Sequence, residues 1–188
     1  MVNISLDKTT LDELKSIVSD TFESYSCDPF IFTHSAFGII GLKVNGAFYK
    51  ITAELEHIQR FFTEDDVVVL RFKKCPEEDI VSRMDNGILQ TNPVKDVIVG
   101  ITVVNDRETV SHGSDSRELV STKGIIFHMS SGNEIAFEIA TWFSEMISVH
   151  RGYDVINQFA LTDEFLEEWD DCEGYKASCS REIVTIHD

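Results

Sequence analysis

The sequence predicts an α+β fold: an antiparallel, strongly twisted sheet or partial β-barrel of about seven or eight strands, packed with an N-terminal helix and an acidic C-terminal helix. Three observations predict it. Apolar residues recur at helical spacing near the N-terminus, and again opposite a row of acids after residue 160. Between these, runs rich in Ile, Val, Phe and Thr have strand length and are bounded by Gly and acidic turns. The links are short, which favours antiparallel pairing. With 43% hydrophobic residues, thirteen Phe, and only ten Gly and three Pro, the chain carries enough apolar surface to offset its ordering entropy.

The first element is expected as a helix over residues 10–24. Leu11, Leu14, Ile17, Val18 and Phe22 form its apolar stripe, with Asp12, Glu13, Lys15, Ser16 and Asp20 opposite. Thr10 and Glu13 have capping-box spacing, and Asp28-Pro29 ends the element. Strands are expected over 30–44, 47–55 and 67–74. The polar stretch 76–93, with its Asp85-Asn86-Gly87 turn signal and room for a turn of helix, joins them to the next strands. Those strands are expected over 96–105, 119–129 and 134–139, with polar residues 107–118 as a loop or hairpin tip. A short helix is expected over 153–159 and a final strand from Tyr175 to His187.

The chain reads as a single domain, 1–188, with two β-rich halves at about 28–75 and 94–140 joined by 76–93. Gly38-Ile39-Ile40 followed by Gly46 has a counterpart in Gly124-Ile125-Ile126 followed by Gly132. Both read as hairpins with a Gly turn; similar turn chemistry accounts for the likeness as well as duplication does.

Charge narrows the function. With 33 Asp or Glu against 16 Lys or Arg, the net charge is -17, beyond the magnitude of roughly 2 to 8 that suits a small domain. Direct binding to nucleic acid or to an anionic membrane is therefore not expected, since both need clustered Lys and Arg. The start MVNISLDKTTLDELKSIVSD has neither the basic region nor the apolar run of a secretory signal, no stretch is long enough to span a bilayer, and a cytoplasmic location is expected. Cys27, Cys75, Cys172 and Cys179 form no C-x-x-C pair and are expected as free thiols.

The excess charge is most concentrated over residues 163–173. Wound at 3.6 residues per turn from Leu161, this segment places Phe165, Leu166 and Trp169 on one side, and Asp163, Glu164, Glu167, Glu168, Asp170 and Asp171 on the other. Thr162 is placed as N-cap, Glu173 follows, and Gly174 stops the helix. These seven carboxylates, with no Lys or Arg among them, are the candidate partner-binding residues. A ridge of acids one helical turn apart can occupy a groove built for phosphates, with salt-sensitive, steered attraction. The plain alternative is a solvated outer face. Glu64-Asp65-Asp66 and Glu77-Glu78-Asp79 are further acidic clusters, with Arg71, Lys73 and Lys74 between them.

Other chemistries lack a signature. No segment has the EF-hand order, and Glu54-x-x-His57 is a single copy without the companion acids of a di-iron site. His34, His57, His112, His128, His150 and His187 show no H-x-x-x-H spacing, and His128 reads as a hydrogen-bonded residue of an apolar strand. There is no G-x-S-x-G elbow, Walker loop or dinucleotide fingerprint. Cys75, Cys172 and Cys179 sit in polar or acidic surroundings that raise a thiol pKa. His150 to Asp154 (HRGYD) reads as a turn with an Arg-Asp contact.

The expectation is a non-enzymatic acidic protein, without cofactor or metal, that binds and inhibits or neutralises a basic protein, in the first instance one that handles nucleic acid. Nucleic-acid mimics, anti-CRISPR and anti-restriction inhibitors, and immunity proteins share that physical character. The alternatives are a small-molecule-binding β module lined by Phe37, Phe48, Phe127 and Phe137, and an enzyme built from scattered His and carboxylates.

Overall fold

The computed structural model describes residues 1–31, 34–84 and 87–187. It corrects the expected class. The protein is a mostly antiparallel β structure, 58% strand against 11% helix, with eleven strands in one sheet and two short helices among the described residues. It is not an α+β fold of seven or eight strands with two packed helices.

After β1 (Val2–Ile4) comes α1 (Lys8–Ser16), then β2 (Thr21–Cys27), β3 (Ser35–Phe37), β4 (Ile39–Val44), β5 (Ala47–Arg60) and β6 (Thr63–Lys74). A 3-10 turn, Glu77–Asp79, leads to β7 (Gln90–His112), β8 (Asp115–Met129), β9 (Glu134–Glu138) and β10 (Met146–Gly152). A second 3-10 turn, Val155–Gln158, precedes α2 (Asp163–Glu167) and β11 (Tyr175–Ile186).

Helix α1 stops well before residue 24. Ser19 takes a left-handed backbone (φ 73°) and the chain turns into β2, which buries Phe22, Tyr25 and Cys27. Phe22 fits the helical stripe by spacing but is claimed by the sheet, as happens when tertiary burial outweighs propensity. The cap is Asp7 rather than Thr10: its carboxylate accepts the Thr10 N–H at 2.8 Å. Glu13 reaches away from the helix end and accepts the Lys74 N–H at 3.1 Å.

The sheet order is β3-β10-β9-β8-β7-β2-β4-β5-β6, with β1 parallel to β8 and β11 along β7. Its ends meet. β3 and β4 are one run of chain divided at Gly38 (φ 66°), whose N–H donates to Glu145 O and whose carbonyl accepts from Ala53 N. Because β3 pairs with β10 while β4 pairs with β2 and β5, the hydrogen-bonded path returns to its start. β7 carries the ring from β8, which it pairs over residues 98–112, to β2, which it pairs over 90–97, while β11 lies along it over 101–112 as a branch. Polar residues 107–118 are regular ladder, closed by a turn at Gly113 between His112 and Asp115. The Asp85-Asn86 part of the predicted turn lies outside the described residues.

Both Gly-turn hairpins form, with different turns. Asn45 and Gly46 (φ 48° and 78°) make the two-residue connection that suits the twist of β4 and β5, whereas Gly132 (φ 86°) sits in a longer loop after Met129. Gly124 is needed for close approach: a Cβ there would lie 2.6 Å from the Phe137 carbonyl and 2.8 Å from the Phe159 ring. Inside the ring, Phe22, Phe127, Phe137 and Tyr25 pack at centroid distances of 5.4 to 6.0 Å. Full burial of each such side chain contributes about 1.5–3 kcal/mol. Two smaller apolar clusters lie apart from this core. One holds Val104, Ile126, Ala136, Val155 and Phe159, and the other Phe61, Val110, Leu119 and Phe165.

Candidate functional site

The acidic segment is held to the sheet by its aromatic residues. Phe165 and Trp169 both lie 5.7 Å from the Phe61 ring, and Trp169 lies 5.4 Å from Tyr175. Phe61 occupies the tight turn between β5 and β6 with φ 55°, unusual for a bulky residue. The buried contacts of its ring offset that backbone cost.

Helical winding ends at Glu167, not near 173. Beyond it the backbone bonds tighten to three-residue spacing, Trp169 N to Leu166 O and Cys172 N to Trp169 O, before the Gly174 turn (φ 84°). Extended as a helix, the segment would stack Asp163 on Glu167, Glu164 on Glu168, and Glu167 on Asp171. Each such like-charge pair is unfavourable, as are acids at the negative end of the helix dipole. Thr162 makes no side-chain cap bond.

All seven predicted partner-binding residues are exposed, and among the described residues six of them, Asp163, Glu164, Glu167, Asp170, Asp171 and Glu173, make no ion pair. Glu168 differs. Its two oxygens accept from Arg60 Nη2 at 2.6 Å and Trp142 Nε1 at 2.8 Å, and the Arg60 guanidinium stacks 3.7 Å from the Trp142 ring centroid. Arg60 is only 6% exposed, so Glu168 is a structural counter-ion rather than part of a free ridge.

Beside this segment is a charged recess of about 70 Å³ that spacing arguments did not find. Asp106 and Glu108 project from β7, Lys123 from β8, Glu138 from β9 and Arg181 from β11, while Glu164 and Glu168 border it from α2 and just beyond. Arg181 grips Asp106 through two 2.8 Å bonds and also donates to Ala160 O. Glu138 accepts from His150 Nε2 at 2.7 Å and from Ala160 N at 2.7 Å. Lys123 Nζ stands 3.1 Å from Glu108 Oε1, but Glu108 Oε2 is buried and has no hydrogen-bond partner. Phe143 and Leu161, 60% and 67% exposed, form the apolar rim. A signal was present in the sequence: Val104, Asp106, Glu108 and Val110 share one face of β7, which puts two acids between two buried valines.

The other candidates disperse. Glu54 and His57, three apart on a strand, face opposite ways: Glu54 pairs with Arg83, and His57 lies between Asp66 and Glu64. The Asp66 hydrogen bond, aided by both charges, raises the His57 pKa. His128 bonds Thr102 Oγ1 and Glu134. The His34 ring lies 5.3 Å from that of His150, tilted by 49°. Arg151 of the predicted turn lies over Tyr25 rather than against Asp154. Arg71 pairs with Glu56, and Lys50 with Asp79. Phe127 and Phe137 are packed in the core, while Phe48 lines a separate surface groove with Lys43. Among the described residues no group of three His, Cys, Asp or Glu is placed to hold a metal ion, and no helix is long and apolar enough to cross a membrane. All four cysteines are free. Burial is the main cause that pushes the Cys27 thiol up to about 11 and Cys179 up to about 12.

Comparison of the chain with protein-family models, curated proteins and solved structures finds no match.

Proposed function

We propose that this chain is a non-enzymatic acidic protein that docks on a basic protein, most simply one that handles nucleic acid, and blocks the surface it uses for phosphates. The observation that carries this reading is the set of six exposed carboxylates without cationic partners, over eleven residues bracketed by sheet-anchored aromatics. Unpaired acids on a fixed segment keep their field for a partner, whereas acids already in ion pairs do not. The exposed Phe143 and Leu161 next to them supply the apolar contact that a charged rim alone lacks.

The test is capture of a basic partner from the native host's lysate, then purified binding at graded NaCl. Binding is expected to weaken steeply with salt and to fall by at least about tenfold when Asp163, Glu164, Glu167 and Asp171 are changed together to Lys. Glu168 is kept, because reversing it would place a cation against Arg60. Unchanged binding by the folded reversal variant overturns the proposal.

A further inference from the structure

The recess beside the acidic segment has the chemistry of a receptor for one primary ammonium group, and we infer that it takes the side chain of a lysine from the docking partner. This rests on the proposed docking of a basic protein and names the point at which one residue of that protein is read.

Three features lead there. First, the lining is unbalanced even after its ion pairs are counted: Arg181 takes Asp106, Lys123 takes Glu108 and Arg60 takes Glu168, which leaves Glu138 and Glu164 without a Lys or Arg partner. Second, the imbalance has a definite acceptor. Glu108 is 3% exposed, borders the recess, and holds one carboxylate oxygen with no donor, although an unsatisfied buried charge is costly. Its other oxygen is engaged by Lys123, so Glu108 keeps one unpaired oxygen in the wall of the recess, closed to water and reached only by a donor that displaces what covers it. That suits an ammonium, a compact donor of N–H bonds, and not a guanidinium, whose planar fork is matched by two parallel oxygens. Third, the size is right. A volume of about 70 Å³ holds an ammonium with part of its stem, while a ring needs more, benzene filling a cavity of about 150 Å³. The aliphatic stem would leave past Leu161 and Phe143, with Glu164 at the mouth. Lys123 and Arg181 are the like charges of the lining, and each is held in an ion pair, Lys123 at 3.1 Å from Glu108 Oε1 and Arg181 at 2.8 Å from Asp106.

The experiment uses the full-length chain and short peptides. Acetyl-Gly-Lys-Gly-amide, the same peptide with its lysine Nε-acetylated, its Arg counterpart, and n-butylammonium are titrated at constant ionic strength, following backbone amide NMR shifts. The Lys peptide is expected to give saturable shifts centred on residues 106–108, 138–143 and 160–164, and to bind more tightly than n-butylammonium. The acetylated and Arg peptides are expected to bind at least about tenfold more weakly, the size of one lost charged hydrogen bond. Glu108→Gln should remove the preference. Should that variant fail to fold, Glu164→Gln at the exposed mouth is expected to weaken the Lys peptide severalfold. Equal binding of the acetylated peptide, or no saturable shift at these residues, overturns the inference. Binding of n-butylammonium without the Lys peptide also overturns it, in favour of a free amine. The variant with Asp163, Glu167, Asp170 and Asp171 changed to Lys separates the two readings. Partner capture unchanged in that variant defeats the docking proposal. Capture lost in it, with a recess of the unaltered chain that is indifferent to the Lys peptide, defeats only the lysine site.

Discussion

Arg181 shows how one residue near the C-terminus stabilises a strand 75 positions earlier. Asp106 is 3% exposed on β7, and the Arg181 fork supplies both of its side-chain bonds. Removing one partner of a buried pair leaves an uncompensated charge, which costs about 3–5 kcal/mol. Arg181→Met is therefore expected to lower unfolding free energy in urea by that amount, and Asp106→Leu with Arg181→Met to recover most of it. A double variant as unstable as the single one would mean that Asp106 does not depend on this pair. The thiols give a second test. Cys27 and Cys179 remain protonated in the folded protein to about 11 and about 12, against an ordinary value of 9.0. The folded state thus binds more protons than the unfolded state above pH 9, so these groups make stability fall as pH rises from there. At pH 8, exposed Cys172 is expected to be alkylated by iodoacetamide first, and Cys27 and Cys179 only on unfolding, as peptide mapping would show. The sequence marked the acidic surroundings of Cys179, where Asp106 and Glu108 do raise the pKa, but burial comes first among the causes. Burial depends on which strands pair, and residue type does not reveal that.

At the scale of elements, amphipathic stripes identified which faces are buried better than how long the helices are. In α2 the buried residue is Phe165, with Leu166 and Trp169 half-buried behind it, as the apolar side of the stripe requires. The helix nevertheless lasts only five residues, because acids four apart repel and no basic residue intervenes. So short a helix is not stable by propensity, and its aromatic anchors hold it in place. Phe165→Ala is expected to cost about 3–5 kcal/mol if the cavity persists. It should cost less in global stability if the segment detaches, with amide protection then lost over residues 163–174 and retained in β7 and β8. Hydrogen exchange distinguishes the two, and unchanged protection in 163–174 would show that Phe165 is not the anchor. The docking proposal depends on that anchoring, since a detached segment would pay an ordering cost on binding. In α1 the stripe extended too far for a related reason. Ile17 and Val18 keep the period, but Ser19 turns the backbone left-handed and Phe22 enters β2.

For the molecule as a whole, local reading found the hairpins and missed the ring. The β4–β5, β7–β8 and β8–β9 pairs are neighbours in sequence, so short turns and alternating burial reveal them. The closure joins β3 to β10, partners 109 to 113 residues apart, and β11 lies along β7 at separations of 63 to 85, and no local pattern encodes those. The recess stayed hidden for the same reason: its acids come from β7, β9 and the α2 segment and its cations from β8 and β11. Net charge, by contrast, needs no topology. At -17, mutual repulsion among the carboxylates opposes the compact state, and screening relieves it. From about 0.01 M to about 1 M NaCl the screening length falls from ~30 to ~3 Å. Salt also weakens exposed ion pairs such as Lys43 with Glu23, yet each of those contributes only about 0–1 kcal/mol. The long-range excess therefore outweighs the pairs, and Tm is expected to rise by several degrees across that range. Carrying Lys at 163, 164, 167 and 171 brings the charge nearer to zero, so that variant should show a smaller rise. Partner binding must respond with the opposite sign, weakening over the same salt range, because the field that destabilises the fold is the one that attracts a basic surface. A Tm that falls with salt would place the destabilising charge elsewhere than in the unpaired acids.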